Sequence, residues 1–277
     1  MPDLHPADSG TAGSGYWHEV RVRFDDHDLP ERLMATVLAP RISRLEAEGA
    51  LARWWFMRRP PFWRVRIEDA DMPALIELLD ELEADGAITE WQGSLYEPPT
   101  KAFGGFAGTD IAHDLFYADT RGVMDYLRRD PPPVGRPELS LLLINAMLGA
   151  AGVDWPGRGD VYAWVAAMRP APPPGSAGDA TELNGQLLTL LAVPTQDASP
   201  LFTADGTLEF AASWHSAFET AGRRLAGATI SGRLGRGMRV ILAHAVIFHW
   251  NRLGLPAATQ SVLAQAAVDA YLPSDGP

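Results

Sequence analysis

Arg64 and Arg66 are the residues whose types and spacing most directly suggest chemistry. They lie in Arg53 to Glu68, a stretch holding three of the nine tryptophans and five arginines. Residues two apart share one face of a strand. Both guanidiniums would then point one way, while Val65 and Ile67 point the other, into a core. Two guanidiniums on a rigid strand can bind an anion bidentately. The same spacing also fits a solvated strand face paired with nearby acids.

The histidines offer proton chemistry but no metal site, because none of the seven pairs with another at His-Glu-x-x-His spacing. His244 and His249 are five apart on one expected helix, about 140° apart around its axis. Each reads either as an acid–base group or as a packed or capping histidine. His113, beside Asp114, reads as structural. Gly232, Gly235 and Gly237 alternate with Arg233, Arg236 and Arg239 ahead of the helix that carries His244. Backbone N–H groups at a helix start attract anions, but the Lys-Ser pair and preceding strand of a phosphate-binding loop are missing. The segment reads as a weak anion site or a flexible loop. Gly-x-Ser-x-Gly is absent, so no hydrolase nucleophile is indicated. Tyr96, in Tyr96-Glu97-Pro98 at the end of a strand, could donate a proton or simply pack.

The elements that must position these groups follow from periodicity. Tyr16 to Phe24 alternates Val20, Val22 and Phe24 against Glu19, Arg21 and Arg23, a strand. Asp25, Asp26 and Asp28 make a turn, and Pro30 opens a helix running toward Gly49, kinked or divided at Pro40. The stretch from Arg53 to Glu68 gives two strands, with Pro60-Pro61 as the turn. A second helix starts at Pro73 and ends at Gly86, and Ala87 to Tyr96 is a fourth strand. The order βαββαβ is the ferredoxin-like pattern. After Gly104-Gly105 only helices are expected: 111–129, 138–152, 160–168, 181–193, 206–227, 236–253 and 257–271, with a Pro/Gly/Ser-rich linker over 170–178. The fold class is α+β, with a ferredoxin-like lobe over 16–105, an all-helical lobe over 106–277, and a disordered N-terminus over 1–15. The junction of the lobes is the default site.

Composition narrows the partners. The 277 residues suffice for a sizeable core, and 47 % hydrophobic with 21 % charged residues is ordinary for a soluble globular protein. A net charge of −12 argues against direct nucleic-acid binding through phosphates. The absence of cysteine removes disulfides, zinc–thiolate sites and thiol nucleophiles. No apolar run reaches the ~18 residues of a membrane span, and no signal peptide is seen. A cytoplasmic location is expected.

Four segments, in order, resemble one known family. Trp54-Trp55-Phe56-Met57-Arg58 followed by Trp63-Arg64-Val65-Arg66 resembles the "WFFIRY…HLRLR" signature of the lantibiotic dehydratase C-terminal domain family. Its free-standing members are called thiopeptide-type bacteriocin biosynthesis proteins. Tyr96-Glu97-Pro98 with Ala102-Phe103-Gly104-Gly105 is similar to the family's "Y-E-x-E…RYGG". His113 to Thr120 is similar to "LFHADS", and Asn251-Arg252-Leu253 to "NRL". The resemblance covers residues 16–271.

The resemblance implies a lyase that eliminates glutamate from glutamylated Ser or Thr of a precursor peptide, leaving dehydroalanine or dehydrobutyrine. It requires no metal or organic cofactor. A glutamylating dehydratase subunit is an implied partner, because the long glutamylating segment does not fit here. The alternatives are a pyridine synthase, joining two dehydroalanines by a formal [4+2] aza-cycloaddition with release of the leader, and a non-catalytic partner of the glutamylating subunit. For elimination, a base takes the Cα proton while cationic groups hold the enolate-like charge and the departing carboxyl group. Arg64 and Arg66 match the family's paired arginines. His244, slightly preferred, or His249 would supply acid–base function. Arg58, Trp63, Tyr96, Lys101 and Arg252 would contact substrate.

The chain departs from the pattern at three places: Trp63 replaces a histidine, Ala102 an arginine, and Ile247 the helix histidine. Lys101 could stand in for the arginine. These departures raise the cycloaddition reading, in which Tyr96 and His249 would activate an amide. Arg66→Ala is expected to leave folding intact and abolish turnover, on the premise that Arg66 faces the cleft.

Overall fold

Seven residues of alternating character, Trp-His-Glu-Val-Arg-Val-Arg, form β1 (Trp17–Arg23), the centre of the sheet-forming half. A computed structural model describes residues 15–25, 30–170, 187–195 and 199–272. The expected disordered N-terminus (apart from Gly15), most of the Asp25–Asp28 turn, most of the 170–178 linker and the start of the 181–193 helix lie outside the described residues.

β2 (Arg53–Arg59) and β3 (Phe62–Glu68) form the hairpin, and β4 (Glu90–Ser94) is shorter than expected. The sheet is antiparallel throughout, in the order β2-β3-β1-β4. That is the ferredoxin-like arrangement read from the sequence.

Register decides which side chains meet. Two adjacent rows cross the sheet on one face: Met57, Arg64, Arg21 and Gln92, then Trp55, Arg66, Glu19 and Ser94. The opposite face carries Val20, Val22, Trp54, Phe56, Trp63, Val65 and Ile67, all buried. Each buried aromatic removes ~150–250 Å² from water, worth roughly 4–6 kcal/mol before entropy is counted.

This apolar face shares its core with three helices: α1 (Pro30–Leu33), α2 (Ala39–Ala47) and α3 (Met72–Ala84). The chain passes from α1 to α2 through a π-helical turn, Met34–Leu38, in which the Ala39 N–H bonds to the Met34 carbonyl. The wider turn lets the helix continue past Pro40, whose ring would clash with the carbonyl four residues back in an α-helix. α3 is capped by Asp71, which accepts from the Ala74 N–H, with Pro73 in its first turn.

The remaining helices are α4 (Phe106–Leu127), α5 (Arg136–Ala150), α6 (Trp155–Ala167), α7 (Ala212–Ile230), α8 (Met238–Leu253) and α9 (Ala257–Tyr271). Residues 187–191 are also helical, and a 3₁₀ turn, Glu209–Ala211, leads into α7. α4 starts five residues before its expected position and α6 likewise, because Gly105 and Asp154 provide the N-caps.

α4 and α8 lie against β2. They cover Trp55 and Arg66, while Arg21 and Arg64 stay half-exposed and Gln92 is exposed. The polar face of the sheet is thus roofed at one end and open at the other.

Candidate functional site

Glu19 is the pivot of the polar face. Its side chain is buried, 3 % exposed as a residue, because it sits between β3 and β4 under neighbouring strands' side chains. Arg66 Nε donates to Glu19 Oε2 at 2.8 Å, and a second Arg66 nitrogen lies 2.8 Å from the same oxygen. Arg21 and Arg64 reach Oε1 at 3.6 and 3.8 Å. Three guanidiniums therefore share one carboxylate, which leaves a local excess of positive charge. Glu19 Oε1, Arg21 Nε and Arg66 Nη1 are buried without a hydrogen-bond partner. Such a set can accept an anion: the fixed cations face charge that would develop or depart.

Aromatic rings hold Arg66 in place. Its guanidinium stands 4.4 Å from the Trp55 ring and 5.2 Å from Tyr96. Tyr96 lies in the loop after β4 rather than on the strand. Its hydroxyl meets His113 Nε2 of α4 at 2.6 Å. Burial pushes the Tyr96 phenol well above its ordinary range. Burial, with the charges of Arg53 and Arg66 outweighing that of Asp114, lowers His113 to about 4. Both groups are neutral at pH 7, so the pair exchanges hydrogen bonds rather than charge.

A second cluster lies behind Trp55. Asp119 of α4 accepts from Trp214 Nε1 at 2.8 Å and from His249 Nδ1 at 2.8 Å on one oxygen. Arg252 donates to the other oxygen at 2.6 Å. Burial opposes ionisation of Asp119, but the charges of His249 and Arg252 outweigh it and its pKa falls. Arg252 stacks between Phe116, at 4.6 Å, and Trp55, at 5.8 Å. His249 Nε2 and Arg252 Nε and Nη2 are buried and unpartnered. Trp55 thus carries Arg66 and Arg252 both against its ring.

The residues singled out in the sequence therefore divide. Arg64, Arg66 and Tyr96 come together on the sheet, and His249 and Arg252 meet one tryptophan away. Arg66 is only 8 % exposed, which corrects the expectation that it stands free in a cleft. His244 is half-buried. Its Nδ1 is 2.8 Å from the Val240 carbonyl, its ring faces Phe103, and burial lowers its pKa. It does not join the Asp119 cluster. Lys101 is exposed, and its carbonyl accepts from Arg236.

Arg58 and Trp63 sit on the opposite face of the sheet, stacked 4.5 Å apart. Arg58 donates to the Arg252 carbonyl at 2.9 Å and pairs with Glu31. Arg136 joins Glu31 and the Leu253 carbonyl. Two cations thus cap the C-terminal end of α8, where partial negative charge collects. The structure gives Arg58 that structural task.

Glu19, Arg21, Trp55, Asp119 and Trp214 were not singled out from the sequence. Glu19 and Arg21 share the period-two face with each other and, by register, with the arginine pair. No group of three or more metal-binding side chains occurs among the described residues. A depression lined by Asp160, Ala163, Trp164 and Arg239 is bridged by the Arg239–Asp160 ion pair and holds none of these groups.

Comparison with known proteins adds the family. Residues 17–271 match the lantibiotic biosynthesis dehydratase C-terminal family. The solved structure of the tRNA-dependent lantibiotic dehydratase MibB from Microbispora sp. 107891 aligns with a TM-score of 0.68 at 19 % identity. The match covers 95 % of this chain but 28 % of MibB. TsrL aligns at 0.61 with 17 % identity, over 93 % of this chain and 95 % of TsrL. TbtD, the pyridine synthase from thiomuracin biosynthesis, aligns at 0.62 with 17 % identity, over 92 % and 97 %. At these identities the likeness is one of fold. No curated protein matches in sequence.

Proposed function

Because the chain belongs to the lantibiotic biosynthesis dehydratase C-terminal family, we propose that it eliminates glutamate from glutamylated Ser or Thr of a ribosomally made precursor peptide. The observation that carries this reading is the excess of guanidinium on the half-open sheet face: Arg21, Arg64 and Arg66 around the single carboxylate of Glu19. Elimination takes a proton from Cα and breaks the Cβ–O bond of the ester. The electron pair of the C–H bond becomes the new double bond, and glutamate departs as a carboxylate. Arg64 and Arg21 are the accessible cations for that leaving group. Arg66, fixed by Glu19, Trp55 and Tyr96, stabilises the enolate-like charge from beneath.

Two histidines compete for the proton. His249 is the better oriented, since Asp119 engages Nδ1 and leaves Nε2 unpartnered. His244 is the more accessible. The partners in this reading are the precursor peptide and a glutamylating dehydratase subunit, and the setting is the cytoplasm. No helix among the described residues is long and apolar enough to cross a membrane.

One observation favours a second reading, pyridine formation by [4+2] aza-cycloaddition. The Tyr96–His113 pair is uncharged and hydrogen-bonded, which suits activation of an amide more than transfer of a full charge.

Mass spectrometry separates the readings. The purified protein is incubated with a synthetic peptide bearing one glutamyl-Ser ester. Loss of glutamate to leave dehydroalanine is the expected result, reduced by Arg64→Ala and by either His249→Ala or His244→Ala. An unchanged ester refutes elimination for that peptide class. A leader-bearing peptide with two dehydroalanines then tests cycloaddition by release of the leader. Silence in both assays leaves a docking partner.

A further inference from the structure

The basic, glycine-rich loop ahead of α8 takes no part in the chemistry above. Arg239 is accounted for by Asp160, at 2.9 Å. Arg233 and Arg236 have no carboxylate partner among the described residues. Arg233 Nε donates to Ser231 Oγ at 2.9 Å, and Arg236 donates to the Lys101 carbonyl at 3.2 Å. The Gly235 N–H donates to the Gly104 carbonyl at 2.8 Å, and Leu234 packs over Gly108. The loop is thereby pinned to the turn that presents Lys101, a third exposed cation without an acid partner.

Two large apolar side chains stand at the same end of the helical lobe. Phe106, the first residue of α4, is 84 % exposed, and Ile230, the last of α7, is 89 % exposed. The two helices run antiparallel. Trp214 meets Asp119, and ten residues on Arg224 meets Asp114 and Asp110. The same progression brings Ile230 level with Phe106. The acids nearby are Asp110, engaged by Arg224, and Glu97, exposed on the turn. Exposed apolar groups rimmed by charge mark interaction sites. Three unpaired cations are conspicuous on a chain of net charge −12.

We infer that Lys101, Arg233 and Arg236, with Phe106 and Ile230, form a docking surface for an acidic peptide segment that carries apolar side chains. Resting on the proposed function, that segment belongs to the precursor peptide, outside the residues being modified. Electrostatic and apolar complementarity both point to it. The turn presenting Lys101 begins at Tyr96, so a segment held here leads onto the sheet face of Arg21 and Arg64.

Fluorescence anisotropy tests the inference. The probes are a short labelled peptide alternating Glu or Asp with Leu and a control with Lys in place of the acids. The wild type should bind the acidic probe, more weakly as salt rises. The double variant Arg233→Glu/Arg236→Glu should bind it at least about tenfold more weakly. Phe106→Ser, at an exposed position, should also weaken it. No binding of the acidic probe by the wild type, equal binding of the lysine control, or unchanged binding by the double variant would each overturn the inference. Elimination from a minimal glutamyl-Ser peptide lacking an acidic segment should be unchanged in the double variant. A wild type that eliminates but does not bind the probe sinks docking alone, and one that binds but does not eliminate sinks the elimination reading alone.

Discussion

In Arg66→Ala the buried Glu19 carboxylate loses both contacts at 2.8 Å and keeps only Arg21 and Arg64, at 3.6 and 3.8 Å. Breaking a buried pair from one side costs ~3–5 kcal/mol. Here the two remaining guanidiniums can close in. At an effective dielectric of ~20, moving one of them to about 2.8 Å recovers roughly 1–2 kcal/mol. Loss of the Arg66–Trp55 contact adds back ~1 kcal/mol. The expected destabilisation is therefore roughly 3 kcal/mol, measured by urea unfolding with tryptophan fluorescence. Glu19→Gln in the Arg66→Ala background should relieve much of it, with a coupling energy of at least ~1.5 kcal/mol in the double-mutant cycle. Arg64→Ala, half-exposed and at 3.8 Å, should cost no more than ~0.5 kcal/mol while turnover falls. Additivity of the Glu19 and Arg66 changes, or an Arg66→Ala protein as stable as the wild type, would refute this account. It would also restore the simpler expectation that Arg66 is a free cleft residue.

Three further changes probe the surroundings. His113 has a native pKa of about 4 against 6.5 in the unfolded chain, so the unfolded state takes up the proton first. The stability this contributes is present above pH 6.5 and is lost as pH falls toward 4, by up to about 3 kcal/mol; His113→Phe should flatten that part of a urea-stability profile. Asp119→Asn leaves Arg252 buried without its counter-charge and should cost ~3–5 kcal/mol. Because the native Asp119 pKa is depressed, its contribution is present above ~3.9 and lost below, so the variant should also lose the steepest acid limb of a pH–melting scan. A Cβ at Gly222 would sit 2.2 Å from the Met147 carbonyl of α5; Gly222→Ala should therefore cost at least ~3 kcal/mol, or the protein should fail to unfold cooperatively.

Local rules carried most of the fold. Alternation in β1 and the arginine-rich hairpin gave the sheet, and Pro73 and Gly86 bracketed a helix found at Met72–Ala84. Boundaries slipped where capping decided them. α4 begins at Phe106 because Gly105 provides its N-cap in a left-handed backbone region that periodicity cannot register. Pro40 was legible as a perturbation, but not as a π-turn, since the i→i+5 bond depends on what packs around Met34 and Leu38. The site was half legible. Period two placed Arg64 and Arg66 on one face, yet their shared carboxylate is 45 and 47 residues earlier on another strand, and only register joins them. Arg58 shows the opposite failure. Its side chain looked like part of the same basic stretch, but it lies on the opposite face and reaches the C-terminal carbonyls of α8.

The Asp119–Arg252 pair explains why two segments so far apart in the chain belong together. One lies in α4 and the other near the end of α8, and both helices press on β2. Without Arg252, Asp119 would be a buried carboxylate held only by Trp214 and His249; without Asp119, Arg252 would be a buried cation against two aromatic rings. Each residue makes the other tolerable, and together they fix the wall on which Trp55 rests. Trp55 in turn sets the height of Arg66 over the sheet. The cluster of Asp119, His249 and Arg252 is therefore joined to the open end, where Arg21 and Arg64 are half-exposed, by four contacts in series: Arg252 to Trp55, Trp55 to Arg66, Arg66 to Glu19, and Glu19 to Arg21 or Arg64. Burial grades the charges along this line. At the closed end one carboxylate holds the buried Arg252, and at the open end the half-exposed Arg21 and Arg64 share the single carboxylate of Glu19 with Arg66.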